Sequence, residues 1–111
     1  MTDNELEDNA AVLARMAERG DDLTQAREIE FAHLFEERRM AVAFCSWAQR
    51  QGYDATVEHR EDANTDVIIR RTMVPELRAL TELELTLAAA ARAHRGEPDG
   101  WGCFTAPKRQ S

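Results

Sequence analysis

The spacing of hydrophobic residues changes period several times along the chain, and each change marks an element. Over Glu5–Arg19, Leu6, Val12, Leu13, Met16 and Ala17 fall on one weakly apolar helical face. Asp3, Glu5, Glu7 and Asp8 crowd the start of that helix, where carboxylates oppose the positive end of its dipole, and Gly20 is a natural stop. After Asp21-Asp22 the period becomes two. Ile29, Phe31, His33 and Phe35 share one side of a strand over Glu28–Phe35, and Glu28, Glu30, Ala32 and Leu34 share the other. Helical spacing returns over Glu36–Gln51, with Met40, Phe44, Trp47 and Ala48 on one face, and Gly52 ends it. Tyr53–His59 is a second strand, with Tyr53, Ala55 and Val57 apolar and Asp54, Thr56 and Glu58 opposite. A polar connection, Arg60–Thr65, leads to a third strand, Asp66–Thr72. Pro75 suits the first turn of a helix reaching about His94, with Leu77, Leu80, Leu83, Leu87 and Ala91 as its buried stripe and Gly96 closing it. Trp101–Thr105 supplies a short fourth strand.

After the first helix the order is strand, helix, strand, strand, helix, strand. That is the βαββαβ order of a ferredoxin-like α+β sandwich, an antiparallel sheet with two helices on one face. The division expected is an extra N-terminal helix at 1–20, a sandwich domain at 21–106 and a flexible tail at 107–111. The pattern leaves the place of the first helix open. At 111 residues there is room for one such domain.

Charge narrows the choice of partner. The chain has 21 acids against 14 bases, a formal net charge of −7. A chain this negative is repelled by phosphate backbones, so direct nucleic-acid binding is not expected, and a basic protein partner is favoured. No apolar run approaches the ~20 residues that span a bilayer, and Met1–Glu5 has no basic start or apolar core of a signal peptide. A cytoplasmic location follows by elimination. Cys45 and Cys103 lack any CxxC spacing, and Cys45 between Phe44 and Trp47 reads as a small buried hydrophobe.

Catalytic motifs are missing: no GxSxG, no phosphate-cradling glycine loop, no HExxH. His33, His59 and His94 sit on three different elements without metal-ligand spacing, so neither enzyme activity nor a cofactor or metal is expected. His33 shares parity with Phe31 and Phe35 and reads as a core histidine; His94 ends a helix and reads as a cap. Strand parity instead gathers Glu28, Glu30, Asp54, Glu58 and Asp66 on the sheet face away from the helices, against Arg70 alone. Such a face can meet a basic protein. Four strands ~4.8 Å apart and ~18 Å long present roughly 350 Å², whereas a stable interface needs about 800 Å² per partner. Loops or the first helix then have to contribute. Trp101, set between Gly100 and Gly102, reads either as cover for the core or as a partner anchor. Two other readings stay open: a ligand-binding protein or small enzyme using a sheet cleft, with His33 or Glu30 as its group, and an adaptor for an unrelated protein.

Three stretches taken together give a resemblance. Gly20-Asp21-Asp22-Leu23-Thr24 running into Arg27-Glu28-Ile29-Glu30-Phe31, Thr72-Met73-Val74-Pro75-Glu76-Leu77, and Gly96-Glu97-Pro98-Asp99-Gly100-Trp101 resemble, in order and spacing, the RraB family of bacterial ribonuclease E inhibitors. The resemblance spans about residues 20 to 102. It implies a ferredoxin-like sandwich without catalytic activity. It also implies regulation of RNA decay by contact with a basic, non-catalytic region of a ribonuclease E-type endoribonuclease.

Overall fold

The structure, a computed structural model, describes residues 3–103. The elements are α1 (Asp3–Glu18), β1 (Arg27–Phe35), α2 (Arg38–Arg50), β2 (Asp54–His59), β3 (Thr65–Met73), α3 (Leu77–Ala93) and β4 (Glu97–Cys103). The four strands form one antiparallel sheet in the order β2-β3-β1-β4. This is the ferredoxin-like α+β arrangement, entered through an additional helix. The tail expected at 107–111, and residues Phe104 and Thr105 of the expected fourth strand, lie outside the described residues.

The period-two reading of β1 holds residue by residue. Ile29, Phe31, His33 and Phe35 are buried, and Glu28 and Glu30 are exposed. Val67 and Ile69 of β3 and Ala55 of β2 join the buried side, which α2 covers with Ala41, Phe44, Cys45 and Ala48 and α3 with Leu80, Leu87 and Ala91. Phe44 is the hub. Its ring stacks on Trp47 at 5.8 Å between centroids, meets His33 edge-on at 5.0 Å, and lies 5.4 Å from Phe35 and 5.8 Å from His94.

Helix ends differ in detail from the sequence reading. Gly20 and Gly52 adopt φ of 92° and 91°, the left-handed turn that stops α1 and α2. At the end of α3 that conformation belongs to Arg95 (φ 64°), not Gly96. Position 96 is glycine for another reason: a Cβ there would sit 2.3 Å from the Phe35 ring. At the start of α3, Pro75 lies outside the first turn. Glu76 is the cap, its carboxylate accepting from the backbone N–H of Arg78 (3.1 Å) and Ala79 (2.8 Å).

The largest correction concerns β4, which begins at Glu97 and not at Trp101. Pro98 and two glycines argue against a strand locally, but pairing with β1 overrides them at a sheet edge, where a missing N–H and a register shift between Phe31 and His33 are tolerated. Helix α1 packs against α3, on the helix-covered side. Its apolar stripe is narrower than expected, with Leu13 buried, Met16 packed on the core and Ala17 exposed. The polar residue Asn9 ties it down: Nδ2 donates to Thr81 Oγ1 (2.9 Å) and Glu84 Oε1 (3.0 Å), and Oδ1 accepts from Trp101 Nε1 (2.9 Å). The turn into β1 is fixed by Arg27, whose guanidinium meets both carboxylate oxygens of buried Asp21 at 2.7 Å.

Candidate functional site

Alternation along three strands brings five acidic side chains to the face that, among the described residues, no helix covers. Glu28 and Glu30 stand on β1, Asp54 and Glu58 on β2, and Asp66 on β3; the first four are exposed and Asp66 is half-buried. Arg70 sits among them, opposite Glu30 on one side and Asp54 on the other. Its guanidinium lies 3.3 Å from Glu30, 3.8 Å from Glu58 and 4.0 Å from Glu28, and donates to Thr56 Oγ1 at 2.9 Å. The sequence reading counted Arg70 as the only cation here. Arg60 is a second, 3.6 Å from Asp66 and 3.6 Å from Asp62. Its parity continues Asp54, Thr56 and Glu58, the signal by which it could have been found. Among the described residues, five carboxylates against two guanidinium groups leave the face with net negative charge. Glu58 and Asp66 are direct cross-strand partners, a like-charge pair that Arg70 and Arg60 relieve from either side.

The floor of the face is apolar. Ile68 points to this side between Thr56 and Ala32 and is only 9% exposed, with Ala32 and Leu34 half-buried alongside. Two open cavities border it. One of about 250 Å³ is lined by Glu28, Glu30, Gly102 and Cys103; another of about 360 Å³ lies between Glu28, Asp54, Arg70 and the Tyr53–Arg71 corner. In that corner the Arg71 guanidinium lies 5.5 Å from the centre of the Tyr53 ring.

Trp101 is not on this face. It pairs with Phe31 on the helix side, packs partly buried against the core, and spends its indole N–H on Asn9. His33 and Glu30, the alternative groups of the cleft reading, stand on opposite faces of the sheet, because odd and even positions of β1 face opposite ways. His33 is 2% exposed, with Nδ1 3.4 Å from the Val67 carbonyl, and burial pushes its pKa below the ordinary value. His94 is the C-cap residue of α3, its Nδ1 donating to the Ala90 carbonyl at 2.8 Å. Burial pushes the thiols of Cys45 and Cys103 up, away from nucleophilic thiolate. Among the described residues, no group of three or more His, Cys, Asp or Glu side chains is arranged to hold a metal ion, and no helix is long and apolar enough to cross a membrane.

Residues 6–103 match the model of the family described as RraB, regulator of ribonuclease activity B. The chain belongs to the RraB family. The match runs from α1 through the last described residue of β4, so it takes in the additional helix as well as the sandwich. No individually curated protein matches the chain. RraB is a family of regulators of ribonuclease activity, and the acidic face, Arg70 and the apolar floor all lie within the matched span.

Proposed function

We propose that this RraB chain inhibits or modulates an RNA-degrading endoribonuclease of the ribonuclease E type by protein–protein contact, docking its acidic sheet face on a basic, non-catalytic stretch of that enzyme in the cytoplasm. The observation that carries the reading is the face itself. Glu28, Glu30, Asp54 and Glu58 project from one uncovered side of the sheet, around an apolar floor of Ala32, Leu34 and Ile68. Opposite fields speed encounter and set orientation, and the floor gives a contact that salt does not screen. Phosphate backbones are repelled by the same face, so the ribonuclease, not its RNA, is the partner.

The test is inhibition of the purified endoribonuclease by the chain and by its Glu28→Arg/Glu30→Arg variant. Both positions are exposed, so the exchange removes no core contact, and the unfolding midpoint of the variant is measured alongside to show that it is folded. The reading requires the chain to slow cleavage and the variant to lose most of that effect. It fails if both inhibit equally, or if neither associates with the enzyme.

A further inference from the structure

The sheet ends in two edges that are built differently. Edge strand β4 carries Pro98, Gly100 with φ 92°, Gly102, and a register shift against β1. Proline, glycine and irregular pairing are the devices that stop another chain from adding a strand. Edge strand β2 has none of them. Its residues Asp54–His59 include no proline or glycine and pair with β3 in unbroken register, and β3 is its one neighbour in the sheet. Among the described residues, one row of its backbone N–H and C=O groups, that of Ala55, Val57 and His59, therefore has no strand partner, and only the Ala55 carbonyl in it is taken, by the Gln49 side chain.

Helix α2 overhangs that edge. One flank of the helix, Phe44 and Trp47, faces His94 at the end of α3. The other flank faces β2, since Gln49 Nε2 donates to the Ala55 carbonyl at 3.1 Å. Val42 lies seven residues before Gln49, two turns along the same flank. It is 46% exposed, one of two large hydrophobic side chains so exposed among the described residues. Val57 is half-buried on the same side of β2, while Asp54, Thr56 and Glu58 stand on the other. A strand laid beside β2 would meet an apolar lip on its helix side and two carboxylates on its open side.

We infer that β2 accepts an extended segment of a partner as a fifth strand, one whose side chains alternate between apolar and basic. Main-chain hydrogen bonds hold it and alternate side chains give specificity. The basic character of the segment rests on the function proposed above; the open edge does not. A second copy of this chain is disfavoured in the register centred on Thr56. Antiparallel β2–β2 pairing about Thr56 would set Asp54 of each copy opposite Glu58 of the other, and like charges directly opposite destabilise a sheet. The edge also supplies contact area that the face lacks, a need α1 cannot meet because it lies across the sheet.

The experiment titrates a blocked hexapeptide of alternating valine and arginine into the whole chain, with amide hydrogen exchange read by NMR. The inference requires protection to rise within residues 54–59. It also requires Val42→Glu to weaken binding by about tenfold without moving the unfolding midpoint, and the valine–glutamate peptide not to bind. Unchanged exchange in 54–59, or full affinity in Val42→Glu, overturns it. Loss of binding in Glu28→Gln/Glu30→Gln with β2 amides untouched overturns the edge and leaves the acidic face standing. A dimer in sedimentation that Val42→Glu dissolves overturns it in favour of self-pairing. If the peptide docks on β2 but the endoribonuclease is neither bound nor slowed, the edge stands and the proposed function falls.

Discussion

The two sides of the sheet are made from the same strands and obey opposite rules. On the helix side, Ile29, Phe31, Val67 and Ile69 are sealed from water in one core with buried residues of α2 and α3. One residue along the chain in either direction, the other side shows Glu28, Glu30 and Arg70 in contact mainly with one another and with solvent. The first side supplies cohesion, since removing apolar surface from water is the main favourable term in folding. The second contributes little to it, because ion pairs between exposed groups are worth at most about 1 kcal/mol. Stability and recognition should therefore respond to different substitutions, and this separation can be attacked from both sides.

Phe44→Ala should produce the largest loss. The ring touches four other rings and is fully buried, so urea unfolding should show a cost of about 3–5 kcal/mol. A loss under about 1 kcal/mol would mean the core is not centred on this ring. Trp101→Ala comes next, at about 3 kcal/mol, the bottom of the range for a truncated large aromatic because the ring is only partly buried. Partner capture should survive it wherever the protein remains folded. Loss of capture at unchanged Tm would make Trp101 an anchor and break the division between the two sides.

Histidine 33 gives a smaller effect, visible in pH. The unfolded chain takes up a proton near the ordinary value of about 6.5, but burial lowers the folded value. A group with a depressed folded pKa contributes stability that is fully present above pH 6.5 and declines as pH falls from there through the folded value. Tm should drop between pH 7 and 5, and His33→Phe should flatten the decline. An identical slope in the variant would assign the loss to other groups. The Glu76 cap acts in a lower window: its two backbone hydrogen bonds hold that carboxyl below the ordinary range, so its contribution fades only under more acid conditions. Smallest for stability is Glu28→Gln/Glu30→Gln, expected to shift unfolding by no more than about 0.5 kcal/mol. Its binding to a basic partner should weaken and become less sensitive to salt. A destabilisation above about 1 kcal/mol would show that the acidic network around Arg70 is structural after all.

How much of this was readable from residues alone depended on whether the deciding interaction was local. Strand parity placed Glu28, Glu30, Asp54 and Glu58 because a period of two is a property of the backbone itself. Gly20 and Gly52 were readable as stops for the same reason. Where a distant partner decides, the sequence was silent or misleading. Pro98 and Gly100 fall before the strand start expected at Trp101, yet pairing with β1 makes the segment strand from Glu97. Gly96 read as a helix stop, yet it answers to the Phe35 ring 61 residues away in sequence. Asn9, polar on a weakly apolar helix, gave no hint that it bonds Thr81 and Trp101. Arg60 was missed because a turn was assumed to break parity that in fact continues through it.

That asparagine has a consequence for how the molecule can be watched. It joins the opening helix to β4, a contact across 92 positions of sequence that exists only when α1 is docked on the sandwich. The indole on its other side is one of just two in the protein. Emission from Trp101, isolated in a Trp47→Phe background, would thus report whether α1 is seated, giving the chain a built-in optical gauge of that docking.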